Sequence, residues 1–479
     1  MKVGSLVDRA FGHNFWALAI YLTLVFLTGG SSRLDVESLA ILRPASIFFC
    51  GIALFNLQRT QVKSYKFIII FMLLVLALGI SHIIPISSSW TLGLPGRDLF
   101  ATLAHMDSSQ LVWRPLSLFP LATVNSLASL AVPVTVLLFG IQLNDRELMG
   151  ILPLIILFGL ISIFLAFVQI IGDPQSPMYL YRITNNGSAV GLFANRNHHA
   201  LFLAMLLPML GIFASKNRRL PQFVSLKSSL LIAATTVIIP LLLVTGSRAG
   251  LLAGMLGLTF MILIFRNVQS EHIPTSEDKK RRVRSFATGL GIISLIAITL
   301  AMSRAESIYR LIGSESSESL RFKTWGPIAE VANSLFPFGS GIGTFAVQYQ
   351  VHEQTRLLIP FYPNQAHNDA LDIYLTSGLL GVALILIATI GWLRASSKLY
   401  QYRHKRDREI AFGKLGALCV GLIFGCSLVD YPVRTPIIGA LLSICALWAQ
   451  MGILKAQAIA STTNRLTTKH AEKDDMHKA

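Results

Sequence analysis

Apolar residues in this chain gather into runs of about 18 or more, separated by short polar blocks, as transmembrane helices require. The pattern predicts about twelve spans, at roughly 15–30, 38–57, 66–84, 119–141, 148–171, 197–215, 228–245, 249–266, 286–303, 371–394, 411–429 and 436–455. The expected architecture is all-α: a polytopic transmembrane helical bundle forming one domain over residues 1–455. The polar remainder, 456–479, reads as a disordered tail.

Four alternate connections are strongly basic: "LQRTQVKSYK", "SKNRRLPQFVSLK", "EDKKRRVRSF" and "KLYQYRHKRDRE". The positive-inside rule puts them, and with them both termini, on the cytoplasmic side. The remaining connections then face outward. The longest runs over about 304–368, just before span ten, and a second over about 81–118. Within the longest, "ESLRFKTWGPIAEVANSLF" has amphipathic helical spacing at Leu320, Trp325, Ile328, Val331 and Leu335, which predicts a helix on the membrane surface covering the spans below. No internal repeat is visible.

Composition narrows the class. Of 479 residues 53% are hydrophobic and 14% charged, against about 25% charged in a soluble domain. The net charge of +17 sits in topology-setting blocks, which argues against nucleic acid as a partner. Cys50, Cys419, Cys426 and Cys445 all fall inside apolar runs without metal or redox spacing, and read as small core residues. The first run has a weakly basic start and no small-residue cleavage site, so it reads as a retained helix.

Basic residues are scarce on an outer face, so those standing there need a reason. Arg196 ("FANRNHHA"), Arg248 ("TGSRAG"), His367 ("NQAHNDALD") and Arg434 ("DYPVRTP") each open a span that descends from outside, while Arg321 lies in the long outer loop. Helix N-termini carry unsatisfied amides and partial positive charge, which attract anions. Arginines added to several such ends make a site for a strongly anionic group, and diphosphate fits best. Asn195, Asn197, Ser247 and Asn368 flank these positions as supporting hydrogen-bonding residues.

Structural roles compete with that reading. Arg434 and Arg114 fit a snorkelling lipid anchor equally well. Arg321 also suits the solvated face of the surface helix, and His367 a helix cap. His198 and His199 are not taken as catalysts, and Asp369 reads as a helix-start residue. "FGSGIGTF" has no preceding strand and reads as a tight loop with close backbone packing, not a nucleotide loop. No acidic cluster in the outer segments spells a metal site, so neither metal nor cofactor is expected.

Four segments in order, "GLFANRNHHALFLAMLLP", "TGSRAGLLAG", "SLRFKTWGPIAEVANSLFPFGSGIGTF" and "NQAHNDALDIYLTSGLLG", resemble the bacterial O-antigen ligase and Wzy-type polymerase superfamily. The resemblance covers about residues 150–450; the first three or four spans match in hydropathy alone. It implies a GT-C-class glycosyltransferase of the bacterial inner membrane. Such an enzyme moves a glycan from a polyprenyl (undecaprenyl) diphosphate carrier to an acceptor hydroxyl on the periplasmic face. In a ligase the acceptor is lipid A–core, and in a polymerase another carrier-linked glycan; the residues do not choose between them. By position, the family's functional residues would be Arg196, Arg248 and Arg321, for the diphosphate, and His367, acting on the hydroxyl. A transporter of an anionic lipid or glycan is the rival class, disfavoured because the notable groups stand at one face and not at mid-membrane.

Overall fold

The computed structural model describes residues 11–106, 113–215, 221–269, 317–357, 364–405 and 407–476. Helices dominate: α1 (His13–Thr28), α2 (Leu39–Phe55), α3 (Arg59–Ser64), α4 (Lys66–Ser81), α5 (Ser88–Leu92), α6 (Asp98–Met106), α7 (Pro120–Ser129), α8 (Ala131–Gly140), α9 (Asp145–Gly150), α10 (Leu152–Ile171), α11 (Arg196–Ala214), α12 (Pro221–Thr245), α13 (Arg248–Gln269), α14 (Ser317–Ser334), α15 (Phe345–His352), α16 (Asp369–Gln401), α17 (Arg408–Ser427) and α18 (Pro436–Met476). Strands β1 (Pro85–Ile86) and β2 (Arg114–Pro115) form a small antiparallel pair. Six helical stretches among the described residues are long and apolar enough to cross a membrane, accompanied by shorter apolar helices. Every predicted run falls on an apolar helix except 286–303, which lies outside the described residues.

Hydrophobicity all round marks a helix for the interior, and α11 is that helix. From His198 to Ile212 every residue of it is buried. Residues of α1, α2, α8, α10, α12, α17 and α18 share one apolar core with it. The amino-terminal spans are therefore integral to the bundle. Asn14 Nδ2 donates to Gln142 Oε1 at one end (3.2 Å). At the other, Ala194 N donates to Gly30 O (3.0 Å) and Ile437 N to Gly29 O (3.1 Å).

Three features go beyond the hydropathy pattern. The amphipathic helix, α14, spends its apolar face on protein: Ile328 and Ala332 pack with Phe345, Tyr349, Ala366 and Leu375 in a separate small core. It covers the head of α16, the start of span ten. Span ten is also not one straight helix. Gly378 breaks it, with φ 54 and ψ −140, a backbone region closed to residues with a Cβ. The "FGSGIGTF" loop fills the break: Ser340 N donates to Leu375 O (3.1 Å), Gly341 N to Thr376 O (2.8 Å), and Leu379 N to Pro337 O (2.9 Å). Irregular backbone survives beside a membrane only when its polar groups are satisfied this way. Finally, the tail read as disordered begins as a continuation of α18, helical through Met476. No Gly or Pro stands between Ile453 and Met476 to stop it.

The described parts of the segment after α4, residues 82–106 and 113–118, clasp the same loop. His82, just past the end of α4, accepts at Nδ1 from Ile342 N (3.2 Å). Ser117 N donates to His82 O (2.8 Å), and Leu118 N to Ser340 O (2.8 Å). Arg97, also buried, donates to Leu116 O.

Candidate active site

Arg196, Arg248, Arg321 and Arg434 each start a helix or sit near a helix start, whereas Arg114 lies in β2. Asn195 caps α11, its Oδ1 accepting from Asn197 N (2.8 Å), and Asn185 Oδ1 accepts from Arg196 N (3.0 Å). Ser247 caps α13 by accepting from Gly250 N (3.1 Å). A Cβ at Gly250 would lie 2.3 Å from that of Ala200, so the two backbones touch through small residues. Ala200 follows Arg196 by one turn and Gly250 follows Arg248 by half a turn, which sets both arginines at the same end of neighbouring helices. Arg196 is half-buried and Arg248 exposed.

His367 stands just before α16. Asn368 caps that helix, accepting from Leu371 N (3.1 Å). His367 itself takes φ 50, the sole positive φ outside glycine among the described residues. This turn brings the imidazole to Asp430: Nδ1 lies 3.1 Å from Oδ1. A carboxylate only accepts, so Nδ1 carries the proton. Asp430 Oδ2 accepts from Asn197 Nδ2 (2.7 Å), which ties the histidine to the residue beside Arg196. Tyr431 packs between rings, its centroid 4.8 Å from that of His367 and 5.2 Å from that of His198. The pair is sheltered, with side-chain exposure of 20% for His367 and 4% for Asp430.

Arg434 has a different job from the other arginines. Its Nε donates to Asp369 Oδ1 (3.2 Å) and its Nη2 to Asp372 Oδ1 (2.7 Å). Burial alone would push the guanidinium down; the two carboxylates against it hold it above its ordinary value. Arg434 clamps the first turn of α16. Asp369 is the helix-start residue expected, now with a partner. Asp372 adds a second tie, its Oδ2 accepting from Ala366 N (3.4 Å).

Arg321 lies in the second turn of α14. One turn further on, Trp325 Nε1 donates to Ala366 O (3.1 Å), so this helix docks on the residue preceding His367. His198 and His199 are buried packing residues: His198 Nδ1 is 2.8 Å from Thr435 Oγ1, and His199 Nδ1 is 2.8 Å from Ala189 O. The loops thus join His367 to the start of α11 through Asp430 and Asn197, with Arg248 opening the helix packed against α11 and Trp325 of α14 seated on Ala366. Asp430 and Tyr431 are the site residues that the charge argument passed over.

Two comparisons bear on this arrangement. Residues 231–386 match the family described as O-Antigen ligase, a stretch that holds Arg248, Arg321 and His367. A comparison with curated proteins finds no match. The matched stretch contains three of the four functional positions implied by the motif resemblance, and the long apolar helices around it are those of a bilayer protein. The long apolar helices mark a membrane protein, and the match over residues 231–386 supports the O-antigen ligase and Wzy-type superfamily.

Proposed function

We propose that this chain is a metal-independent glycosyltransferase of the O-antigen ligase type, working at the periplasmic face of a bacterial inner membrane. Its donor would be a glycan on a polyprenyl diphosphate carrier, and its acceptor a hydroxyl of lipid A–core. One observation carries the reading: an imidazole held by Asp430, itself held by Asn197, shares one end of the bundle with the helix-start arginines 196 and 248. That end is opposite the described basic connections at 57–66 and 398–409, which supports the periplasmic side.

In this mechanism the acceptor oxygen attacks the anomeric carbon as the bond from that carbon to the diphosphate oxygen breaks. The hydroxyl proton passes to His367 Nε2, the ring nitrogen left open once Nδ1 donates to Asp430. Negative charge grows on the leaving diphosphate. Arg196, Arg248 and Arg321, with the amides at the starts of α11 and α13, stabilise it without reorganising. Asp430 keeps the tautomer and the orientation, as a carboxylate behind a histidine base does.

The test is transfer in vitro with purified protein and extracted carrier-linked glycan. Replacing His367 by Ala should slow turnover about a hundredfold or more, and Asp430→Asn should slow it comparably by allowing the wrong tautomer. Carrier affinity should survive in both. Wild-type turnover in His367→Ala would remove the base from the mechanism. A polymerase would use the same groups on a different acceptor. Loss of attachment, as opposed to loss of chain length, in a deletion strain separates ligase from polymerase.

A further inference from the structure

The segment between α4 and α7 carries an apolar face that the transfer chemistry does not use. On α6, Leu99, Leu103 and Met106 follow the i, i+4, i+7 spacing of one helix face and stand 61%, 53% and 79% exposed. The residues between them sort onto two other faces. Ala104 is buried against the protein, with Phe100 and Ala101 half-buried beside it, whereas Asp98 and Thr102 are exposed along a polar edge. A helix that merely covers protein needs one buried face and one polar face. The third face of α6, three large apolar side chains in a row, needs a cover of its own.

Its surroundings point to lipid. The start of α6 is pinned close to the head of a span, because Arg97 donates to Leu116 O, four residues before α7 begins. The adjoining span ends are themselves apolar and exposed, at Ile80 on α4 and at Leu121 and Val124 on α7, so the strip on α6 continues a lipid-facing surface. Trp90 on α5 and Trp113 beside β2, both more than half exposed, are the side chain that collects at headgroup level. The nine residues of α6 rise about 13 Å, too little to cross a bilayer but enough to lie along its surface. No Lys or Arg stands on α6, so what holds it is apolar burial and not the charge of headgroups.

We propose that α6 is an in-plane membrane helix, with Leu99, Leu103 and Met106 among the acyl chains of the leaflet at the site end and Asp98 and Thr102 in water. The anchor bears on the site through the segment it belongs to. Leu118 N donates to Ser340 O, and His82 accepts from Ile342 N, in the loop that fills the break in α16. A segment held in the leaflet thus braces the helix that His367 precedes.

Spin labels read the surroundings of each face directly. Leu99→Cys, Leu103→Cys, Met106→Cys, Asp98→Cys and Thr102→Cys are made singly in a Cys50→Ala background, the other three cysteines being buried. The full chain is labelled and reconstituted in phosphatidylcholine vesicles. Collision with oxygen, which concentrates among acyl chains, is then compared with collision with a water-soluble nickel chelate. Labels at Leu99, Leu103 and Met106 should favour oxygen several-fold, like a label at the exposed Leu386 of α16, and labels at Asp98 and Thr102 should favour nickel. Nickel preference at all five positions puts the helix in water and overturns the proposal. Poor access for both reagents at the three apolar positions means a protein cover, from this chain or a second copy, and overturns it equally. Phosphatidylglycerol added to the vesicles should leave the ratios unchanged; oxygen preference that needs the anionic lipid would assign the contact to headgroups and sink the acyl-chain assignment. The three apolar positions report independently, so one variant that fails to fold leaves two to decide.

Discussion

His367 occupies a left-handed backbone turn, φ 50, where an L-residue costs about 1–2 kcal/mol relative to glycine. The ties on either side impose it: Asn368 caps α16, Asp372 takes Ala366 N, and Asp430 takes the ring. His367→Gly should therefore unfold later than His367→Ala in detergent, by about 1 kcal/mol, although both lack the base. An Ala variant as stable as the Gly variant would mean that the turn relaxes once the imidazole is gone. The residue scale also shows why half the site was hard to read. Outer arginines stand out because the positive-inside rule makes them scarce, whereas acids carry little topological bias. Asp430 thus passed unnoticed in "DYPVRTP", four residues from the Arg434 that did draw attention. Arg434 in turn looked like Arg196 and Arg248, because its partners Asp369 and Asp372 lie 65 and 62 residues away, beyond any motif.

Among elements, α16 departs furthest from its hydropathy. An apolar run reads as one span whether or not its backbone is continuous, so the break at Gly378 is invisible to the pattern that located the helix. The glycines of "FGSGIGTF" were legible as a close-packing loop; what they pack against was not. A Cβ at Gly378 would fall 2.0 Å from Pro337 O at a φ that disfavours it. Gly378→Ala should lower folded yield and melting temperature sharply. Gly51→Ala in α2, where nothing lies within 4 Å, should raise stability by about 0.5–1 kcal/mol; equal effects at the two sites would refute the break. The His82 latch adds a pH dependence. Burial, with Arg97 adding to it, pushes His82 down from 6.5 to about 4. Between those values the unfolded chain takes up a proton that the folded one refuses, so stability falls as pH drops through that window, by up to about 1.4 kcal/mol per pH unit. Above about 6.5 the residue makes no difference. His82→Gln, whose Oε1 still accepts from Ile342 N, should melt at a temperature less dependent on pH between 6.5 and 4. A variant with the wild-type slope would assign the slope to other groups.

For the whole molecule, the candidate site residues stand at one end of the bundle and the described basic connections, 57–66 and 398–409, at the other. The two facts have separate origins. Basic blocks follow from insertion, which retains Lys and Arg on the cytoplasmic side. The site end follows from helix polarity: α11, α13 and α16 start there, and helix starts gather donors for an anion. If the insertion argument is right, the site faces the periplasm, where a carrier-linked glycan would meet it. Single cysteines in a Cys50→Ala background decide the matter, since Cys419, Cys426 and Cys445 are buried. A cysteine in place of Gln350, exposed on α15, should react with an impermeant maleimide in cells whose outer membrane alone has been opened. One in place of Thr60, exposed on α3 at the other end, should react only after the inner membrane is breached. Labelling of Thr60 first would invert the bundle. The arginines and the histidine would then face the cytoplasm, and a periplasmic transfer reaction would be ruled out however well their geometry suits it.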